Sequence, residues 1–297
     1  PRSAGTPGPG AVPFFPMRTN YHTHSEFCDG QAPAAAMAEA AYRAGYKVLG
    51  FSSHAPLPWP TDWNMDPGRI DAYVAEIRRL GAVWSGQGLE VLLGLEIDWL
   101  EGRMGPGDPG WDRLGLDYRL GSVHFLFPTA AEPFCVDEPL ESFDAHLRAA
   151  GGDERWLWRE YYRNLSALIE ARGFDILGHF DLVRKNNGDG RYFDEESPEY
   201  LEAALGAAAL LQGSEIVVEI NTGGMARGKT RSPYPALPVM RELRARGVRI
   251  TLCADAHAPE HFGAHLDDAR ELARAAGYRG VAVLSGGRWT EVGLDET

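Results

Sequence analysis

Short apolar runs alternate with amphipathic stretches along most of the chain. Residues 18–24, Arg-Thr-Asn-Tyr-His-Thr-His, put Thr19, Tyr21 and Thr23 on one face and Asn20, His22 and His24 on the other, which predicts a strand. Pro33 opens an Ala-rich stretch that stops at Gly45 and reads as a helix. Lys47 to Ser53 predicts strand two, ending at His54. Ile70 to Trp84 carries Ile70, Tyr73, Val74, Ile77 and Leu80 at helical spacing. Val91 to Ile97 is nearly continuously apolar, broken by Gly94 and Glu96, as in a strand covered on both faces. Asp117–His124 and Asp175–His179 predict strands four and five, with helices over 139–149 and 154–172 between them. A helix over 195–212, strand six over 215–221, a helix over 235–247, strand seven over 248–254 and a helix over 267–277 follow. Gly280 to Ser285 closes the series as a further strand. Seven or eight β–α units without a Gly-x-Gly-x-x-Gly fingerprint predict an α/β parallel barrel rather than a nucleotide-binding sheet.

No composition break divides the 297 residues, so residues 17–297 are expected to form one barrel domain. Pro1 to Pro16 is rich in Pro and Gly, lacks the regions of a signal peptide, and is expected to be a disordered extension. The net charge of −13 argues against a nucleic-acid footprint and against anionic membranes, while leaving room for a small anionic substrate held by a local basic cluster. Cys28, Cys135 and Cys253 show no paired spacing, and no apolar run is long enough to span a bilayer. A reducing, cytoplasmic setting is the expectation.

The polar residues then fall into a pattern. His22 and His24 end strand one, His54 strand two, Glu96 strand three, His124 strand four and His179 strand five. Asn221 ends strand six, and Asp255 and His257 follow strand seven. Residues at the C-terminal ends of barrel strands converge on one mouth. Any one of these histidines could be a buried structural residue; six with two carboxylates point to metal. They exceed what one four-coordinate ion uses, so two or three divalent ions are implied, with zinc, manganese and iron all compatible. His146, His261 and His265 lie in helix or loop sequence and are expected to be solvated.

His22-Thr23-His24, Ser53-His54-Ala55, Gly-Leu-Glu96, Gly-Ser-Val-His124, Gly178-His179-Phe-Asp181 and Asp255-Ala-His257 resemble the ordered motifs of the PHP (polymerase and histidinol phosphatase) superfamily. The resemblance runs from Tyr21 to about Leu284 and implies a distorted (β/α)7 TIM-like barrel with three divalent metal ions. It places His22, His24, Glu96 and Asp255 on one ion, and Glu96, His124 and His179 on a second. His54, His257 and Asp29, or Glu26 in its stead, fall on a third. Asn221-Thr-Gly-Gly, with Arg227, Lys229, Arg231 and Pro233-Tyr234-Pro235 after it, resembles the histidinol-phosphatase branch. The expected chemistry is hydrolysis of L-histidinol phosphate, a small phosphorylated metabolite, by a metal-bridging hydroxide. Glu96, Asp255 and His257 are then the catalytic candidates, and Arg184, Arg227, Lys229 and Arg231 the phosphate-binding ones, with Arg227 and Arg231 both open as the main contact. Asp98, Glu101 and Trp59 are candidates for the substrate's imidazole and amine. Another phosphoesterase of the same superfamily, acting on another small phosphate ester, a nucleotide or a nucleic-acid end, is the alternative.

Overall fold

The computed structural model describes residues 17–128, 133–149, 151 and 153–297; the expectation for residues 1–16 lies outside them. Seven parallel strands form one sheet in chain order: β1 Arg18–Asn20, β2 Tyr46–Phe51, β3 Glu90–Asp98, β4 Tyr118–Ser122, β5 Ile176–Leu177, β6 Val217–Asn221 and β7 Ile250–Cys253. The sheet curls until its edges nearly meet. Beyond β1, His24 N–H donates to the Ala256 carbonyl at 2.9 Å and Ala256 N–H to the His22 carbonyl at 3.1 Å, closing the barrel just past the strand ends.

Helices α1 Ala34–Arg43, α2 Ile70–Ser85, α3 Leu140–Ala149, α4 Glu154–Ala171, α5 Pro198–Ala209, α6 Leu237–Ala245 and α7 Leu266–Ala275 cover the outside. Among the described residues, no helix is long and apolar enough to cross a membrane.

Side chains on a strand alternate between faces, so each barrel strand carries an inner and an outer column. On β3, Leu93, Leu95 and Ile97 pack outward with Met37, Tyr73 and Ile77 of α1 and α2. Leu92 points into the barrel, Gly94 lies against the inward Tyr118 ring, and Glu96 reaches the mouth. The same parity gives Val48, Gly50, Ser52 and His54 along β2, and Tyr118, Leu120, Ser122 and His124 along β4. Each inner column therefore rises from apolar to polar towards the C-terminal end. The floor is a buried cluster of Tyr21, Val48, Leu92, Tyr118, Leu120, Ile176, Cys253 and Leu284.

Tyr118 shapes that floor. Its hydroxyl donates to the Tyr21 carbonyl at 2.5 Å and the Phe51 carbonyl at 3.1 Å. Its ring lies over Gly50 and Gly94, where a Cβ would fall 2.4 Å from its nearest atom in each case. Two neighbouring strands thus carry glycine where one large ring crosses the barrel.

Two expectations need correction. The predicted strand over 18–24 ends at Asn20, because the Asn20 side chain takes over the pairing: its amide donates to the His22 carbonyl at 2.9 Å and its oxygen accepts the Ala254 N–H at 2.6 Å. Gly280–Ser285 (β8) is not a barrel strand. It pairs antiparallel with Arg288–Gly293 (β9) through a Gly286-Gly287 turn, both glycines at positive φ. This hairpin seals the floor, with Leu284 N–H donating to the Tyr21 hydroxyl at 2.8 Å and that hydroxyl donating to the Leu284 carbonyl at 3.1 Å.

Candidate metal centre

The strand ends and the loops just beyond them bring nine side chains together: His22, His24, Asp29, His54, Glu96, His124, His179, Asp255 and His257. All except Asp29 and His257 are buried. They are the nine named from the sequence as ligand candidates.

Around Glu96 Oε2 the atoms stand at ligand spacing. His22 Nε2 lies 3.1 Å from Glu96 Oε2 and 3.5 Å from Asp255 Oδ1; His24 Nε2 lies 3.6 and 3.1 Å from the same two atoms. A tetrahedron with the arms of a zinc site has edges of about 3.3 Å. All four atoms are buried, and none has a hydrogen-bond partner among the described residues. Buried polar atoms in a native protein are otherwise nearly always satisfied, so this set fits a cation.

Glu96 divides two groups. Its Oε1 accepts from Ser122 Oγ at 2.7 Å and lies 2.9 Å from His179 Nε2 and 3.6 Å from His124 Nε2. A third group forms around Asp29, 3.2 Å from His257 Nε2 through one oxygen, and 3.4 Å from His24 Nδ1 and 3.8 Å from His54 Nε2 through the other. Glu26 is not part of it, for its carboxylate accepts the Ala34 N–H at 2.7 Å at the start of α1.

The electrostatics suit a cation-binding cluster. Burial opposes ionisation of Glu96, yet His22, His54 and His124 around it hold its carboxyl well below the usual range. Burial, with His257 and His54 adjacent, drives His24 down to about 3, leaving it neutral and able to donate a lone pair. Burial likewise opposes a charge on His124, but Asp98, 2.8 Å from its Nδ1, and Glu96 outweigh it and lift it to about 9.

A cleft of about 510 Å³ opens beside this cluster, lined among others by Asp29, His54, His257, Lys185, Arg227 and Lys229. The phosphate candidates fare differently. Arg227 reaches the cleft but is engaged: its Nη2 donates to Asp255 Oδ2 at 3.0 Å, and its Nη1 donates to the Asp255 carbonyl at 3.1 Å and lies 2.8 Å from His257 Nδ1. The Lys229 ammonium reaches the cleft and makes no hydrogen bond or ion pair among the described residues.

Arg184 and Arg231 are not brought there. Arg184 binds Glu195 at 2.6 Å, Asp181 at 3.3 Å and Ser232 at 3.1 Å; Arg231 is exposed and pairs with Asp189 at 2.7 Å. Lys185 lines the cleft in their place, its ammonium donating to the Asp137 carbonyl at 2.7 Å.

Of the candidates for the imidazole and amine, Asp98 is buried against His124, Glu101 pairs with Arg163 at 2.8 Å, and Trp59 packs edge-on against Phe125. Two supporting carboxylates escaped sequence reasoning as supports, Asp98 and Glu219. Parity could have found both, since Asp98 follows Glu96 by two and Glu219 precedes Asn221 by two on the inner face.

A parallel barrel that gathers histidines and carboxylates at the C-terminal ends of its strands, beside a partly cationic cleft, defines the class of metal-dependent hydrolase barrels. Residues 20–223 match the PHP domain family. The chain belongs to that family. It is 31% identical over 264 residues to a Deinococcus radiodurans protein named "Probable histidinol-phosphatase", covering 88% of this chain and 94% of that one. The fold is shared with the crystal structure of HisK from Listeria monocytogenes (TM-score 0.75, 20% identity, 84% of this chain and 99% of that one). It is also shared with histidinol phosphate phosphatase from Lactococcus lactis, solved with Zn, L-histidinol and phosphate (TM-score 0.61, 21% identity, 92% and 99%).

Chelation should destabilise the protein, because it leaves the four unpartnered atoms facing one another in a buried site. An ion present at a thousand times its Kd stabilises by about 4 kcal/mol. Calorimetry before and after chelation is expected to show a drop of several degrees in Tm, restored by zinc.

Proposed function

We propose that this protein hydrolyses L-histidinol phosphate to L-histidinol and phosphate with the aid of divalent metal ions. The observation that carries the reading is the set of four buried donor atoms at ligand spacing, without hydrogen-bond partners among the described residues, beside a cleft lined by Lys185, Arg227 and Lys229. The name of the Deinococcus relative and the ligands of the Lactococcus complex supply the substrate.

Following the family resemblance, His22, His24, Glu96 and Asp255 would hold one ion, Glu96, His124 and His179 a second, and Asp29, His54 and His257 a third; close approaches within each set support the division. When bound, such ions lower the pKa of water and withdraw charge from phosphoryl oxygens. Zinc, manganese and iron all accept this donor set. Burial raises the Asp255 carboxyl, but Arg227 and His22 more than offset it and hold it well below the usual range, which suits a ligand better than a proton donor. Arg227 also fixes the direction of Asp255 and His257. Lys229, which lines the cleft with Lys185, would meet the phosphate, while Asp62 and Trp63 in the same cleft would offer an acidic and an aromatic group to the amine and imidazole. The cysteines are all free thiols, in keeping with a cytoplasmic setting.

Phosphate release from L-histidinol phosphate, set beside a generic monoester and using metal-stripped and repleted protein, tests the assignment. Metal-dependent turnover that prefers histidinol phosphate is expected. Equal turnover of both esters would leave a phosphoesterase of different substrate. Lys229→Ala should raise KM about ten-fold, the worth of one hydrogen bond to a charged group, with kcat changed much less.

A further inference from the structure

Glu219 is the central residue of β6, fully buried on the inner face of the barrel. It belongs to none of the three ligand groups. Both its oxygens approach His22 Nδ1, at 3.0 and 3.1 Å. Oε1 also accepts the His179 backbone N–H at 2.7 Å and the Asn221 side-chain amide at 2.7 Å. A buried carboxylate is costly unless fully satisfied, and Glu219 meets that cost with donors that all belong to the strand ends at the mouth.

We propose that Glu219 is a positioning residue that acts through His22. The ring nitrogen facing Glu219 carries the proton it donates, so the lone pair is confined to Nε2, the atom that faces Glu96 Oε2 and Asp255 Oδ1 and has no hydrogen-bond partner among the described residues. The bond to the His179 N–H ties β5 to β6 at the same level, so one side chain sets the height of residues from two ligand groups. Asp98 performs a narrower version of this for His124, whose Nδ1 and backbone N–H it accepts at 2.8 and 3.2 Å. The role rests on the reading of His22 as a metal ligand.

The test is zinc affinity, measured on metal-stripped protein against a chromophoric chelator, for the wild type, Glu219→Gln, His22→Ala and the double variant. Glu219→Gln is expected to weaken binding about ten- to hundred-fold, and most of that loss should vanish in the His22→Ala background. A loss of equal size in both backgrounds, or none in either, overturns the proposal. A wild type that binds no zinc removes the metal reading, and this role with it. Should Glu219→Gln not fold, nitrogen-15 spectra of the zinc-loaded wild type decide: a proton on His22 Nδ1 with Nε2 on the metal is expected, and the reverse arrangement overturns it.

Discussion

Glu96→Ala is expected to reduce phosphate release at least about a thousand-fold, because the several kcal/mol that metal ions contribute at a developing charge are lost together. The reason is geometric. Oε2 faces His22, His24 and His54, at 3.1, 3.6 and 3.0 Å, while Oε1 faces His179 and His124. No other carboxylate of the nine-residue cluster stands so close to five of its histidines. Removing it leaves two groups short of an oxygen ligand and places the imidazoles around a void. Metal content should fall in step with activity, read by elemental analysis of the same samples. Loss of one histidine from the rim of the cluster, as in His124→Ala, should be milder, since it removes a ligand from one group alone. Activity within ten-fold of wild type after Glu96→Ala would falsify the bridging role proposed for it.

The second large effect concerns stability. Gly94→Ala should destabilise the fold by about 3 kcal/mol, at the upper end for overpacking a core. The added Cβ would lie 2.4 Å from Tyr118 Cζ, and within 2.8 Å of both Cε atoms. The ring cannot retreat without giving up the hydrogen bonds from its hydroxyl to the Tyr21 and Phe51 carbonyls. Gly86→Ala is the matched control, at the end of α2 with nothing near the new methyl and ordinary helical φ, and should change stability by less than about 0.5 kcal/mol. Denaturant unfolding of both variants in the metal-free state separates this packing effect from ligand binding. Comparable midpoints for the two would mean that the ring yields easily.

The barrel was legible because its strands are short apolar runs separated by helical periodicity, and each ends in a polar residue that local sequence alone reveals. The meeting of these histidines and carboxylates followed from the same rule, since residues at successive strand ends must meet once the sheet curls. Other features depend on partners distant in sequence. That β1 stops at Asn20 depends on a bond to Ala254, 234 residues away. That Arg184 is spent on Glu195 and Asp181, while Lys229 lines the cleft, is set by how the loops after β5 and β6 fold back, which periodicity does not encode. Gly280–Ser285 was read as one more strand of the series because an apolar run reads alike in a barrel strand and in a floor hairpin.

The hydroxyl of Tyr21 binds Leu284, 263 residues later, and the residue after Tyr21 is the first histidine of the cluster. During synthesis, the earliest candidate ligands therefore leave the ribosome long before their partners exist. His22 and His24 reach their places in the cluster only once Asp255, His257 and the closing hairpin have emerged. The nine-residue cluster can therefore be completed only after the greater part of these residues has been made, and folding of the barrel and assembly of the cluster are one late event rather than two.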